Sequence, residues 1–325
     1  MTLLQVSDLR VRLQTPAGPA DAVRGVSFAL GQGETLGLVG ESGCGKSLTA
    51  LALMGLLPEG AQTSGQIQLH GQDLTQLSEQ AWRKVRGRQL AMVFQEPMTA
   101  LNPLHTVGHQ VAEPLRLHKG LARAAARQEA RRLLDRVGIA DAGRRLDAYP
   151  HQFSGGQRQR ITLAMALACG PELLIADEPT TALDVTVASQ ILQLLRELIE
   201  ERGMGLLLIS HDLGVIAQNT ARMLVMYGGT VVEQGSTREV FTQRRHPYTQ
   251  GLFASRPHLH PLPTDRGGQR LMAIPGSVPE LHQMPGGCPF AGRCAVALPV
   301  CATQAPVETA LSPSHSARCV LIAPA

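Results

Sequence analysis

Gly40-Glu-Ser-Gly-Cys-Gly-Lys-Ser47 decides how this chain is read. The stretch fits G-x-x-x-x-G-K-[ST]. It follows Thr35-Leu-Gly-Leu-Val39, an apolar run that reads as a buried strand, and precedes Leu48-Thr-Ala-Leu-Ala-Leu-Met54, which reads as a helix. Strand, glycine loop and helix together make a phosphate cradle. Glycines let backbone N–H groups close around anionic oxygens without a Cβ in the way. The helix N-terminus adds partial positive charge and free donors. Gly40, Glu41, Ser42, Gly43, Cys44, Gly45, Lys46, Ser47 and Leu48 are the candidate contacts. Lys46 is placed to reach the β and γ phosphates, and the Ser47 hydroxyl to ligate Mg²⁺. The bare pattern arises by chance in about one chain per hundred of this length, so other motifs must agree with it.

The chain has 325 residues, enough for about two structural units and a sizeable core. At 44% apolar and 17% charged residues it is globular, not disordered. Aromatics make up 3%, so the core rests on Leu, Val, Ile and Ala. A net charge of +4 is too small to argue for nucleic acid without a clustered patch, and no nucleic-acid partner is expected. No apolar run reaches the ~18 residues of a membrane span, and Met1 opens on Leu3-Leu-Gln-Val6 without a signal-like segment. These features suggest a cytoplasmic protein and leave docking on a membrane protein open. Four of the cysteines, Cys288, Cys294, Cys301 and Cys319, crowd the C-terminal end, while Cys44 and Cys169 read as ordinary small side chains. In a reducing compartment such a cluster favours metal or cofactor ligation over disulfides.

In chain order, Leu3 to Leu13 and Ala22 to Leu30 read as strands joined by a loop over Thr15 to Asp21. Short strands are expected at Gln66 to Leu69 and within Gln89 to Gln95. Leu121 to Val137 predicts a strong helix within a helical insertion over about residues 100–170, its arginines forming a solvated face. Strand character returns at Leu173 to Ala176, Gly205 to Ser210 and Met223 to Tyr227, with a long helix over Val185 to Arg202. This alternation predicts an α/β fold with a mostly parallel sheet, preceded by an antiparallel β-element. Proline, glycine, histidine and cysteine dominate residues 256–325, which predict an irregular extension.

Two further stretches carry chemistry. Leu173-Leu-Ile-Ala-Asp177-Glu178 ends an apolar run on two carboxylates, where a phosphate-binding α/β sheet holds its metal. Asp177 is the candidate to orient Mg²⁺ and Glu178 to orient or deprotonate water. Ser154-Gly155-Gly156-Gln157, after Phe153 and before an Arg- and Ala-rich helix, is a second helix N-terminus fit for phosphate.

Two anion sites on one chain, with these motifs in this order, resemble the ATP-binding subunits of ABC transporters. The resemblance covers residues 3 to about 240, and the ATPase domain is set at 1–240. It includes Gln95 after a strand, the loop Thr181-Ala182-Leu183-Asp184, and His211 in Ile209-Ser-His-Asp-Leu213. It implies an ATPase in which two subunits sandwich ATP head to tail. The cradle of one then meets Ser154 and Gly156 of the other, with Gly155 and Gln157 completing that loop. Gln95 is implied to touch Mg²⁺ and the attacking water, His211 the γ-phosphate, and Asp184 the neighbouring subunit. Members of this family usually stack an aromatic on adenine. Leu13 stands about where that aromatic is expected, and residues 10–27 contain none.

Arg245-His-Pro-Tyr-Thr-Gln-Gly-Leu-Phe-Ala-Ser255, Ile274-Pro-Gly-Ser-Val-Pro279 and Phe94-Gln-Glu-Pro-Met-Thr-Ala-Leu-Asn-Pro103 resemble the oligopeptide/dipeptide/nickel importer branch, with an extension over 241–325. The resemblance implies two transmembrane permease subunits, a second ATPase subunit that is a related chain or a second copy, and indirectly a substrate-binding protein. It places the chain peripherally on the cytoplasmic face of the membrane. Nickel, oligosaccharide and other solutes stand as alternatives to peptide, and a non-transport ABC ATPase as a more distant one. Four thiolates without histidine can hold a [4Fe–4S] cluster or Zn²⁺. Dipeptide-importer ATPases with similar cysteines imply the cluster, in a structural role.

Overall fold

The structure is a computed structural model that describes residues 2–95, 100–181, 183–255 and 273–322. Glu96–Thr99, Ala182 and residues 256–272, on which parts of the sequence reading fall, lie outside the described residues. The chain forms two compact units. One comprises residues 1–4, 29–35 and 68–209, the other residues 5–28, 36–67 and 210–325.

The first unit is built on β6 (Leu90–Val93), β7 (Leu173–Asp177) and β8 (Gly205–Ile209). β6 pairs parallel with β7, and β7 with β8. All three strands are buried along their whole length, as near-continuous Leu, Ile, Val and Ala predict for a parallel sheet covered on both faces. Between β6 and β7 lies the helical insertion: α3 (Val107–Lys119), α4 (Arg123–Arg136), α5 (Ala142–Arg145) and α6 (Gly155–Leu167). It has its own core, in which Val111 and Leu115 of α3, Ala126, Ala130, Leu133 and Leu134 of α4, and Ile161 and Ala164 of α6 are buried together. The α4 positions follow the i, i+4, i+7, i+8 stripe of an amphipathic helix. Its arginines face outward and pair locally, Arg127 with Asp147, Arg131 with Asp135 and Arg132 with Glu129, which fits the expected solvated face. α7 (Val185–Arg202) follows β7, with the bounds read from its sequence.

In the second unit, β3 (Thr35–Val39) pairs parallel with β9 (Arg222–Tyr227), and β9 pairs antiparallel with β10 (Thr230–Ser236) across Gly228 and Gly229. Both glycines have positive φ, the backbone a two-residue hairpin turn demands. β10 in turn pairs with β12 (His315–Ala317), and β12 with β11 (Thr309–Ser312). The proline-rich extension thus supplies two strands that its composition conceals. β1 (Thr2–Thr15), β2 (Gly18–Gly31), β4 (Gln62–Leu69) and β5 (Gln72–Asp73) form the antiparallel element in the order β2-β1-β4-β5. The loop expected over Thr15 to Asp21 shrinks to Pro16 and Ala17, because Pro19 is tolerated in an edge strand. β4 starts four residues before the expected Gln66, since Gly65 at φ 89° passes so close to Asp8 that a Cβ would lie 2.3 Å from its carbonyl oxygen.

α8 (Leu213–Asn219), α9 (Thr237–Gln243) and α10 (Pro247–Ala254) complete this unit. The start of α10 is tied to β10 by Glu233, which is 1% exposed. Its carboxylate accepts the backbone N–H of Arg245 at 2.8 Å and of His246 at 2.9 Å, and faces His315 Nε2 at 2.8 Å. His246 Nδ1 accepts the Tyr248 N–H at 3.0 Å, capping the helix. Burial lowers the His246 pKa to about 4, so the imidazole is neutral in the folded chain. Between an unfolded value of about 6.5 and that folded value the unfolded chain binds more protons, so stability falls as pH falls through this window. His246→Asn keeps a capping acceptor and removes the titration. Denaturant unfolding at pH 7 and pH 5 should show the wild type losing about 2 kcal/mol more than the variant.

Candidate active site

The cradle lies in the second unit, between β3 and α1 (Lys46–Leu53). α1 begins on Gly45 at φ 99°, and no side chain caps it. Its first-turn amides form the donor set that suits an anion. Two neighbours leave no room for a side chain at Gly40 or Gly45. A Cβ on Gly40 would lie 2.3 Å from the Met226 carbonyl oxygen, and one on Gly45 2.8 Å from that of Ala22. The loop is also pinned by the Gly229 N–H, which donates to the Cys44 carbonyl at 3.1 Å. Lys46 is 6% exposed. Its Nζ donates to the carbonyls of Gly40 at 2.8 Å and Glu41 at 3.0 Å. Ser47 and Leu48 are partly buried, Ser42 and Gly43 exposed. Cys44 is fully buried, and burial pushes its thiol above the usual value, so it acts as a small apolar filler in the loop.

Glu41, expected only as a cradle residue, has two partners distant in sequence. The Tyr248 hydroxyl accepts its N–H at 2.8 Å, and the Arg293 guanidinium grips its carboxylate at 2.5 and 3.2 Å. Separations of 207 and 252 residues kept these contacts out of any motif reading. Leu13 sits partly buried in β1. His211 is exposed in the turn after β8, beside Ser210, whose N–H donates to Leu38 at 3.2 Å, and Asp212, which caps α8.

In the first unit, Asp177 ends β7 at 3% exposure. Glu178 follows at φ 47°, a left-handed backbone uncommon for a residue with a side chain. Its N–H donates to the Ile209 carbonyl at 2.9 Å. One carboxylate oxygen accepts from Gln95 Nε2 at 3.2 Å and from the Thr181 hydroxyl at 2.8 Å. Gln95 and Glu178, 83 residues apart, are therefore brought together, and Thr181 is a partner that the motif reading overlooked. Ser154 caps α6, and Gln157 reaches back to its N–H in a reciprocal capping box. Ser154 and Gly155 are exposed, while a Cβ on Gly156 would lie 2.5 Å from a Val187 methyl on α7. Asp184 caps α7 through the Val187 N–H at 2.9 Å.

The four C-terminal cysteines are all free thiols and line one small cavity, together with His246 and Phe290. Burial raises the Cys288 and Cys319 thiols, and the neighbouring cysteines add to the shift. Among the described residues, however, no group of three or more His, Cys, Asp or Glu side chains is arranged to hold a metal ion. The four-cysteine ligand set expected from sequence is therefore not shown by this arrangement. No helix among the described residues is long and apolar enough to cross a membrane.

A sequence profile of ABC transporters matches residues 23–181, and one of the oligopeptide/dipeptide transporter C-terminal region matches residues 232–301. The chain is 50% identical to the dipeptide transport ATP-binding protein DppD of Bacillus subtilis, over 98% of this chain and 94% of that one. It is 49% identical to a putative peptide import ATP-binding protein of Brucella melitensis, covering 98% and 96%. To the oligopeptide transport ATP-binding protein OppD of Salmonella typhimurium it is 48% identical, covering 98% and 93%. Among solved structures, the ATP-binding cassette MJ0796, as a dimer in a post-hydrolysis state bound to ADP and Pi, superposes with a TM-score of 0.65 at 27% identity, covering 73% of this chain and 99% of that one.

The crowding at Gly40 yields a prediction. Gly40→Ala forces a methyl against the Met226 carbonyl and should destabilise the fold by roughly 2 kcal/mol or more. Thermal unfolding without nucleotide checks this, and a melting temperature equal to wild type would refute the close approach.

Proposed function

Since the chain belongs to the ABC transporter family, as an ATP-binding subunit of the oligopeptide/dipeptide importer type, we propose that it hydrolyses ATP to energise a membrane importer of di- or oligopeptides. The observation that carries this reading is near-full-length similarity to peptide import ATPases, including the C-terminal region matched over residues 232–301; in this reading an ATPase domain over 1–240 is followed by an extension over 241–325. The expected partners are two permease subunits and a second ATPase subunit, a related chain or a second copy. A substrate-binding protein delivers the solute to them. The site of action is the cytoplasmic face of the membrane.

In this reading the α1 amides and Lys46 hold the phosphates, with Gly40 to Leu48 forming the cradle and Leu13 covering adenine. Ser47, Gln95 and Asp177 are the residues that would hold or orient Mg²⁺. Mg²⁺ supplies charge neutralisation to the phosphoryl oxygens. Glu178 orients the attacking water and takes its proton. Its left-handed backbone and the Gln95 and Thr181 contacts hold the carboxylate in a fixed direction. His211 contacts the γ-phosphate. The exposed Ser154–Gly155 end of α6 suits a phosphate brought by the other subunit, and Asp184 relays across that contact. Glu178→Gln preserves shape but not basicity. It should bind ATP while turnover of the reconstituted transporter falls at least about a hundredfold. ATPase assays and labelled-peptide uptake measure this, and near-normal turnover would remove Glu178 from the role.

Cys288, Cys294, Cys301 and Cys319 are proposed as ligands of a [4Fe–4S] cluster of structural role. Their support is chemical and spatial: four thiols and no carboxylate around one cavity. A cluster supplies cross-linking of the segment here, since nothing else in the chain handles electrons. Anaerobic purification should give a brown protein absorbing near ~400 nm that bleaches with chelator and oxidant. A colourless protein with one zinc per chain would overturn the cluster in favour of zinc.

A further inference from the structure

We propose that Arg293, in the C-terminal extension, is a positioning residue of the nucleotide site, holding the phosphate loop through Glu41. This deepens the reading of Gly40–Ser47 as the ATP cradle and rests on it.

The contact is built. Nη1 and Nη2 of Arg293 meet the two carboxylate oxygens of Glu41 at 2.5 and 3.2 Å, the bidentate fork that guanidinium and carboxylate planes favour. The Arg293 side chain is 8% exposed and that of Glu41 26%. The remaining donor capacity is spent on the extension itself and on the end of β9. Nε reaches the Pro275 carbonyl at 2.7 Å, Nη2 those of Gly276 at 3.2 Å and Ile274 at 3.4 Å, and Nη1 the Tyr227 hydroxyl at 3.2 Å. The guanidinium also lies over the Tyr227 ring, 5.7 Å from its centroid. An exposed ion pair contributes little and drifts in geometry. This one is partly buried, forked and saturated, so its geometry is fixed by its surroundings.

Glu41 transmits that fixity. Its N–H is held by Tyr248, which is fully buried and packs against Tyr227 and Phe290 with ring centroids 4.7 and 5.3 Å apart. Its carbonyl accepts Lys46 Nζ at 3.0 Å. One loop residue is therefore gripped by the extension through side chain and amide, and itself locates the phosphate-binding lysine. Arg293 adjoins Cys294, and Phe290 follows Cys288 by two residues, so the cysteine-bearing segment and the cradle share one support.

The test uses the full-length chain and a fluorescent ATP analogue. Arg293→Gln should weaken binding roughly five- to tenfold, the scale of one ordinary net hydrogen bond, since Arg293 acts on the nucleotide only through Glu41. Arg293→Lys should recover part of it. Glu41→Gln should weaken binding similarly, and the double variant no more than either alone, since the two act as a unit. In the reconstituted transporter the KM for ATP should rise more than kcat falls. Thermal unfolding without nucleotide verifies that the variants are folded. Unchanged affinity in Arg293→Gln, or additive losses in the double variant, overturns the proposal. If Lys46→Ala abolishes binding while Arg293→Gln does not affect it, the clamp fails and the cradle reading stands. If neither wild type nor variants bind the analogue, the cradle reading fails as well.

Discussion

Everything in the second unit defers to one constraint: a stretch of backbone must curl tightly enough to present its amides to an anion, and hold that curl without side chains inside it. Gly40, Gly43 and Gly45 meet the steric half of the requirement, with positive φ at all three. Glycine alone, however, leaves a loop free to relax into many shapes. Rigidity must come from outside. The structure supplies it at both ends of the loop, by the Gly228–Gly229 turn against Cys44 and by Tyr248 and Arg293 on Glu41.

The first unit applies a related device to its carboxylate. Glu178 pays a conformational cost at φ 47°. That backbone turns the side chain at the end of β7, where Gln95 and Thr181 can hold one of its oxygens. The phosphate loop is strained where glycine relieves the strain. The carboxylate is strained where no glycine could substitute, because the side chain carries the chemistry.

The parallel core was legible because fully buried strands spell themselves out: Thr35 to Val39 and Leu173 to Asp177 are apolar runs ending at chemically telling residues. The helix over Val185 to Arg202 was legible because Asp184 caps it and Gly203 closes it in the left-handed region. The candidate residues stood out wherever a motif is contiguous. Pairing partners set by long-range contact were not legible. β10 to β12 lie in sequence dominated by glycine, proline and short polar residues, and their pairing is decided by who lies alongside. The same holds for Tyr248 and Arg293, each an ordinary residue until the chain returns to Glu41.

The Arg293–Glu41 pair also ties an extension with little regular structure to the phosphate loop. Desolvating two charges is costly, and a buried ion pair is often no more stabilising than an apolar contact of the same size. What it does provide is uniqueness. A guanidinium that must satisfy a carboxylate, a phenol and three carbonyls has one solution, and any slip of the 274–276 segment or of residue 293 leaves buried charge unpaired. An apolar side chain at 293 could slide by a residue at little cost, and the loop it supports would slide with it. The extension therefore gains its register from the phosphate loop, and the loop gains its stiffness from the extension.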